Sequence, residues 1–78
     1  YRSKQERAEQ ARRRTRLAEL ERLIGETEER IRALEETLAL PETGSDYQRL
    51  TDLCAELEEA KTLHETYFSQ WAALSEEG

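Results

Sequence analysis

The sequence predicts an all-α fold in which two long helices, joined by a short turn, pair antiparallel as a coiled-coil hairpin. Good helix formers dominate the chain, chiefly Glu, Leu, Ala and Arg. Apolar residues recur at heptad spacing on both sides of a short segment that contains Pro41 and Gly44. Charged residues make up 38% of the 78 residues and aromatic residues 6%, which suits a narrow helical seam better than a globular core.

The first helix is predicted over about residues 12–40. With Leu17 as heptad position a, the seam consists of four a sites and three d sites, in chain order Leu17, Leu20, Ile24, Thr27, Ile31, Leu34 and Leu38. All but Thr27 are large and aliphatic, which is typical of a coiled coil. Upstream, Gln10 and Arg13 take the next a and d sites. Residues 1–11 are therefore predicted to be a basic lead-in or linker. Residues 1–16 have no seam to bury even if they are helical, and we expect them to fray or to be held by a partner outside this chain.

The turn is predicted at residues 41–45. Pro41 has no backbone N–H and disfavours helix at Leu40. Gly44 can adopt positive φ, as a tight turn often requires.

The second helix is predicted over about residues 46–76. Ser45 is the expected N-cap, and Gln48 can return its hydrogen bond as a capping box. The a and d sites of this helix are, in chain order, Leu50, Leu53, Leu57, Ala60, His64, Tyr67, Trp71 and Leu74.

A short turn makes the two helices antiparallel, so each a residue faces a d residue. The favoured register pairs residues whose numbers sum to 91, because both seams then end together and the two polar seam residues meet. Its layers are Leu38–Leu53, Leu34–Leu57, Ile31–Ala60, Thr27–His64, Ile24–Tyr67, Leu20–Trp71 and Leu17–Leu74. Leu40, Tyr47 and Leu50 are expected to cover the turn end.

Two features of the second helix have more than one interpretation. His64 is either a polar layer that fixes the register with Thr27 or a pH switch, since histidine titrates near neutral pH. Tyr67, Phe68 and Trp71 are either seam residues or an exposed docking patch, and Phe68 is the one expected to be partly exposed.

Charge is distributed unevenly along the chain. Residues 1–16 carry seven Arg and Lys against two Glu, a net charge of +5, and residues 17–78 carry five against sixteen acidic residues, a net charge of −11. Clustered arginines suit phosphate backbones. The candidate nucleic-acid-binding residues are Arg2, Lys4, Arg7, Arg12, Arg13, Arg14 and Arg16. The alternative is an ordinary charged linker.

No catalytic or metal-binding arrangement is predicted, and no cofactor is expected in this chain. Cys54 and His64 are ten residues apart on one helix, about 15 Å along its axis, too far to share a metal or a proton. No stretch reaches the roughly 20 apolar residues of a membrane span. A single cysteine fits a reducing, cytoplasmic setting. The start at Tyr1, without Met, suggests a piece of a longer protein.

The ordered motifs of residues 12–76 resemble the C-terminal coiled-coil domain of ABC-F ATPases, the Uup-like group. The matching positions are Pro41-Glu42 in the turn, Asp46-Tyr47 at the second helix start, Leu57-Glu58 midway, and the closing Tyr67, Trp71 and Leu74. The resemblance implies a cytoplasmic parent with two ATP-binding cassettes, which would bind ATP and Mg²⁺, and no membrane domain. It also implies action at the ribosome in translation or antibiotic resistance.

What the resemblance implies for this hairpin is a non-catalytic module that contacts ribosomal RNA, tRNA or DNA through its basic arm, beside the parent ATPase domains. The strongly acidic hairpin body departs from the more basic, DNA-binding versions of the domain. Two alternatives stay open: a tRNA-contacting arm of an aminoacyl-tRNA synthetase, and a structural spacer or dimerisation module. The chain is expected to be a monomer or a weak homodimer.

Overall fold

The structure, a computed structural model, describes residues 3–77 as two long helices and one short one. Helix α1 spans Lys4–Leu38, the one-turn helix α2 spans Pro41–Gly44, and helix α3 spans Tyr47–Glu77. Helices α1 and α3 pack side by side along a rod of 66 × 15 × 14 Å. The predicted all-α antiparallel hairpin is confirmed.

The core of the hairpin is its row of d positions. Leu20, Thr27, Leu34, Leu53 and Ala60 are the buried seam residues, and each of them holds a d site. Every a residue of both helices is only half-buried. The seam is therefore better covered on its d side than on its a side, and the a side is a partly open surface.

Contacts between the helices fit the predicted register. Arg16 contacts Gln70, and Arg30 pairs with Glu56 at 3.7 Å. The residue numbers sum to 86 in both pairs, so the two contacts repeat the same alignment of α1 and α3. These are g positions, which in an antiparallel coiled coil face each other beside the d residues. Leu23 and Leu63, also g positions, fall in the same series, with Leu23 half-buried and Leu63 40% exposed. A register of 84 would separate Glu28 from His64, which the structure places 3.2 Å apart.

Helix α1 begins at Lys4, about eight residues earlier than predicted. Ser3 is the N-cap, and its side chain accepts a hydrogen bond of 3.2 Å from the backbone N–H of Glu6. The segment that follows is rich in Gln, Glu, Ala and Arg. Such residues favour helix even without a seam, because they lose little side-chain freedom in it. The expected frayed lead-in is therefore helical from Lys4 onward, while residues 1–2 lie outside the described part of the chain.

The turn differs from the prediction because it contains helix α2. Pro41 is at the start of this helix, where its missing N–H costs no hydrogen bond. Gly44 does not adopt positive φ. The expected cover by Leu40 and Tyr47 is wrong, since Leu40 is 46% exposed and Tyr47 81% exposed.

Thr43 closes the turn end in their place. It is 1% exposed, and its Oγ1 donates a hydrogen bond of 2.6 Å to the carbonyl oxygen of Thr37. The same carbonyl oxygen accepts from the backbone N–H of Leu40 at 3.2 Å, and its usual helical donor four residues on is Pro41, which has no N–H. A buried hydroxyl thus ties α2 to the end of α1.

The cap of α3 is Asp46 rather than the predicted Ser45. Asp46 Oδ1 accepts a hydrogen bond of 3.1 Å from the backbone N–H of Arg49. Ser45 instead ends α2, and its hydroxyl donates to the carbonyl oxygen of Glu42. The side chain of Gln48 donates to Asp52, so no capping box forms.

Gly25 lies within α1, and a methyl group added to its Cα would meet no side chain within 4 Å. We expect Gly25→Ala to stabilise the hairpin by about 1 kcal/mol, since Gly is that much less favourable than Ala in a helix. Thermal unfolding followed by circular dichroism should show a midpoint roughly 4–8 °C higher. A lower midpoint would mean that α1 needs its glycine.

Replacing Thr43 by Val keeps its shape and removes its hydroxyl. We expect Thr43→Val to cost about 1 kcal/mol of unfolding free energy, because a buried hydrogen bond to Thr37 is lost. Thr62→Val is the matched control, since its exposed hydroxyl bonds only within α3. Urea unfolding of both variants measures the difference, and equal midpoints would contradict the role assigned to Thr43.

Candidate nucleic-acid interface

The N-terminal part of α1 projects beyond the end of α3. In the register of 91, the residue of α1 opposite Glu77 is Arg14, so residues 4–13 continue as a single helix about 15 Å long. We call residues 4–16 the basic arm; they hold six Lys and Arg against Glu6 and Glu9. The candidate residue Arg2 lies outside the described residues.

The arm does not bring its cations to one face. Positions in a helix that are seven apart share a side, so Arg7 and Arg14 lie together at e positions, next to Lys4. Arg12 and Arg16, four apart, lie on the other side of the arm. The arm is therefore a helix with cations around most of its circumference rather than a single basic stripe.

Two of the candidate arginines are drawn towards the hairpin. Arg16 donates to Gln70 Oε1 at 3.2 Å and pairs with Glu19 at 3.1 Å. Arg13 is half-buried and lines a cleft of about 260 Å³ at the end of the seam, over Leu17 and Leu74. Neither side chain extends from the arm as an unattached cation.

The other cations of the arm have more freedom. Among residues 3–77, no carboxylate lies within ion-pair distance of Lys4, Arg7, Arg12 or Arg14. Guanidinium groups with unused donors can grip phosphate oxygens bidentately. The arrangement suits a sequence-independent contact with a phosphate backbone.

A second surface lies on the a side of the hairpin, and it includes Phe68 and Trp71, for which the sequence left a docking patch open as an alternative. Trp71 Nε1 donates to Glu21 Oε1 at 3.3 Å, and His64 Nε2 donates to Glu28 Oε1 at 3.2 Å. Phe68 lies between the two rings, 6.4 Å from that of His64 and 5.9 Å from that of Trp71 between centroids. We call these five residues the aromatic–carboxylate face.

The geometry of this face follows from the heptad positions. Glu21 and Glu28 are e residues of α1, and His64 and Trp71 are a residues of α3. Both contacts join residues whose numbers sum to 92, one more than the seam layers. Applying the predicted register to the e residues beside the seam would have predicted these two contacts.

The polar seam layer is built differently from the expectation. Thr27 is buried, but its Oγ1 donates to the carbonyl oxygens of Leu23 and Ile24 in its own helix. The side chain of His64 is 28% exposed and turns to Glu28. Each residue satisfies its polar atoms away from the other, so the layer is not held by a hydrogen bond between Thr27 and His64. Phe68, which the sequence analysis expected to be partly exposed, is 51% exposed.

Comparison with known protein families identifies the family of this chain. Residues 4–76 match the family described as the ABC transporter C-terminal domain. The chain belongs to this family. The match begins at Lys4, the first residue of α1, so this ABC transporter C-terminal domain includes the whole basic arm as well as the hairpin. Neither the curated proteins nor the solved structures gave a match.

Membership in the family makes this chain a non-catalytic C-terminal module of an ABC protein. It gives no support to the alternative of a synthetase arm. None of the helices described within residues 3–77 has the length and apolar character that crossing a membrane requires.

Proposed function

We propose that this ABC transporter C-terminal domain belongs to a cytoplasmic ABC-F ATPase and contacts the phosphate backbone of RNA at the ribosome through its basic arm. One observation carries the proposal. The arm extends past the end of α3 with Arg7, Arg12 and Arg14 outside any ion pair in the described residues. Charges in that condition are available to an external polyanion.

The acidic body restricts how a nucleic acid can approach. Residues 17–78 carry a net charge of −11, so a phosphate backbone laid along the hairpin would be repelled. At about 0.15 M salt, screening acts over roughly 8 Å, shorter than the projecting arm. An RNA helix would therefore meet the arm end-on, with the turn and helix α2 directed away from it.

The ABC-F assignment is supported by the motifs of the turn and of the closing helix. Pro41-Glu42 opens α2, and Asp46-Tyr47 supplies the N-cap and first residue of α3. In such a protein, ATP and Mg²⁺ would be bound by the cassettes, and this domain would position RNA or the cassettes themselves. A domain that acts only as a spacer would show no salt-dependent binding to RNA.

Titration with a short RNA duplex at several salt concentrations tests the proposal. Three or four phosphate contacts predict a slope of log binding constant against log salt of roughly −3. The variant Arg7→Gln, Arg12→Gln, Arg14→Gln removes the three arginines that carry the proposal and should flatten the slope to near zero. Adding Arg16→Gln should change little, since Gln70 and Glu19 already hold that side chain.

The matched control removes the same charge from the body. Arg22→Gln, Arg32→Gln, Arg49→Gln deletes three arginines that lie away from the arm. We expect this variant to bind somewhat more weakly, because its net charge is more negative, but with the wild-type salt slope. Equal loss of slope in both triple variants would mean that RNA binding depends on total charge rather than on the arm. An absence of RNA binding by the wild type would favour the structural spacer.

A further inference from the structure

We propose that the aromatic–carboxylate face binds the basic arm of a second copy of this chain, so that two hairpins pair antiparallel through their open ends. The proposal depends on the charges and contacts of the described residues and is independent of any binding to RNA. Its partner is identified by charge complementarity, since the arm is basic and the face carries two carboxylates.

The order of charges along one side of α1 is self-complementary. The e positions read Arg7, Arg14, Glu21, Glu28 and Glu35, at regular spacings of seven residues, and the first four can pair with one another. When a second α1 runs antiparallel, residues whose numbers sum to 35 oppose each other. Arg7 then meets Glu28 and Arg14 meets Glu21, and the two-fold axis repeats both pairs.

The neighbouring b positions leave room for that approach. They are occupied by Ala11, Ala18 and Gly25 between the charged positions. At Gly25 an added methyl group would find no side chain within 4 Å, so the surface between Glu21 and Glu28 is open. Small residues in such a row let two helix backbones come close while charged residues flank them.

The carboxylates are held ready for an incoming guanidinium. Trp71 and His64 each donate to the Oε1 atom, which leaves the Oε2 atoms of Glu21 and Glu28 for a further donor. Phe68 is half exposed and stacks on His64, the donor to Glu28, with ring centroids 6.4 Å apart. An arginine that reaches Glu28 can therefore stack on Phe68 as well.

The c side of α1 lacks this symmetry. The c positions include Arg12, Glu19 and Glu26. An antiparallel pairing of Arg12 with Glu26 would set Glu19 against its own symmetry mate, and like charges repel. The e side has no such conflict. Its two-fold axis lies near Ala18, so the acidic turn ends of the two hairpins point in opposite directions.

Paired charge swaps test the proposal by sedimentation equilibrium. One variant carries Arg7→Glu and Arg14→Glu, and the other carries Glu21→Arg and Glu28→Arg. We expect the wild type to dimerise at about 20 mM salt and to dissociate at about 0.5 M, where screening is strong. Each swap alone should weaken self-association at least tenfold, and mixing the two should restore a heterodimer, because every opposed pair is again complementary.

Matched controls change net charge by the same amounts elsewhere. Arg22→Glu with Arg49→Glu, and Glu19→Arg with Glu26→Arg, avoid the e side of α1. We expect no gain of association when these two are mixed. A control mixture that associates as strongly as the swap mixture, a swap mixture that stays monomeric, or a monomeric wild type at low salt overturns the proposal.

Cross-linking gives an answer even if a charge swap unfolds the hairpin, which circular dichroism would reveal. In a Cys54→Ser background, Ala18→Cys places a thiol near the two-fold axis. We expect a short bismaleimide to link two chains through it at low salt. The control Ala55→Cys, exposed on α3, should link at no more than background level. Equal yields for the two positions would rule out the antiparallel pairing.

Discussion

The packing of d residues between α1 and α3 is the constraint on which every other feature depends. Leu20, Leu34, Leu53 and Ala60 are buried in the register that the two helices adopt. That register decides where α3 stops relative to α1, and hence how far the basic arm projects. It also sets which e residues of α1 stand beside the half-buried a residues of α3. A shift by one heptad would change both surfaces together.

Periodicity was sufficient to predict the hairpin and its register, because a seam of Leu and Ile has few ways to close on itself. It was insufficient at the ends, where hydrogen bonds within single turns decide the structure. Ser45 and Asp46 are both good caps, and the choice fell to Asp46 because α2 uses Ser45 to end itself. The helix over residues 4–11 likewise depends on Ser3 and on intrinsic propensity, neither of which leaves a heptad pattern.

The candidate site was predictable in composition but only partly in arrangement. A cluster of arginines is visible in the sequence, yet the engagement of Arg16 depends on Gln70, a residue 54 positions away. The aromatic–carboxylate face also joins distant segments, since Trp71 and Glu21 meet across the helices. Tyr47 shows the reverse error: an aromatic residue at a helix start was expected to be covered, but it is 81% exposed, and the small Thr43 is buried at the turn end instead.

The two proposed partners, RNA and a second copy of the chain, would bind overlapping parts of the basic arm. They differ in which sides of the arm they require. In the proposed dimer, the e-side carboxylates of the second copy would occupy Arg7 and Arg14 and leave Arg12, a c residue, facing outward. A phosphate backbone has no such fixed spacing and can take cations from any side of the helix. RNA could therefore first bind the outward side of a paired arm and then displace the second copy as salt bridges exchange. Competition between the two would be strongest at low salt, where both attractions are largest.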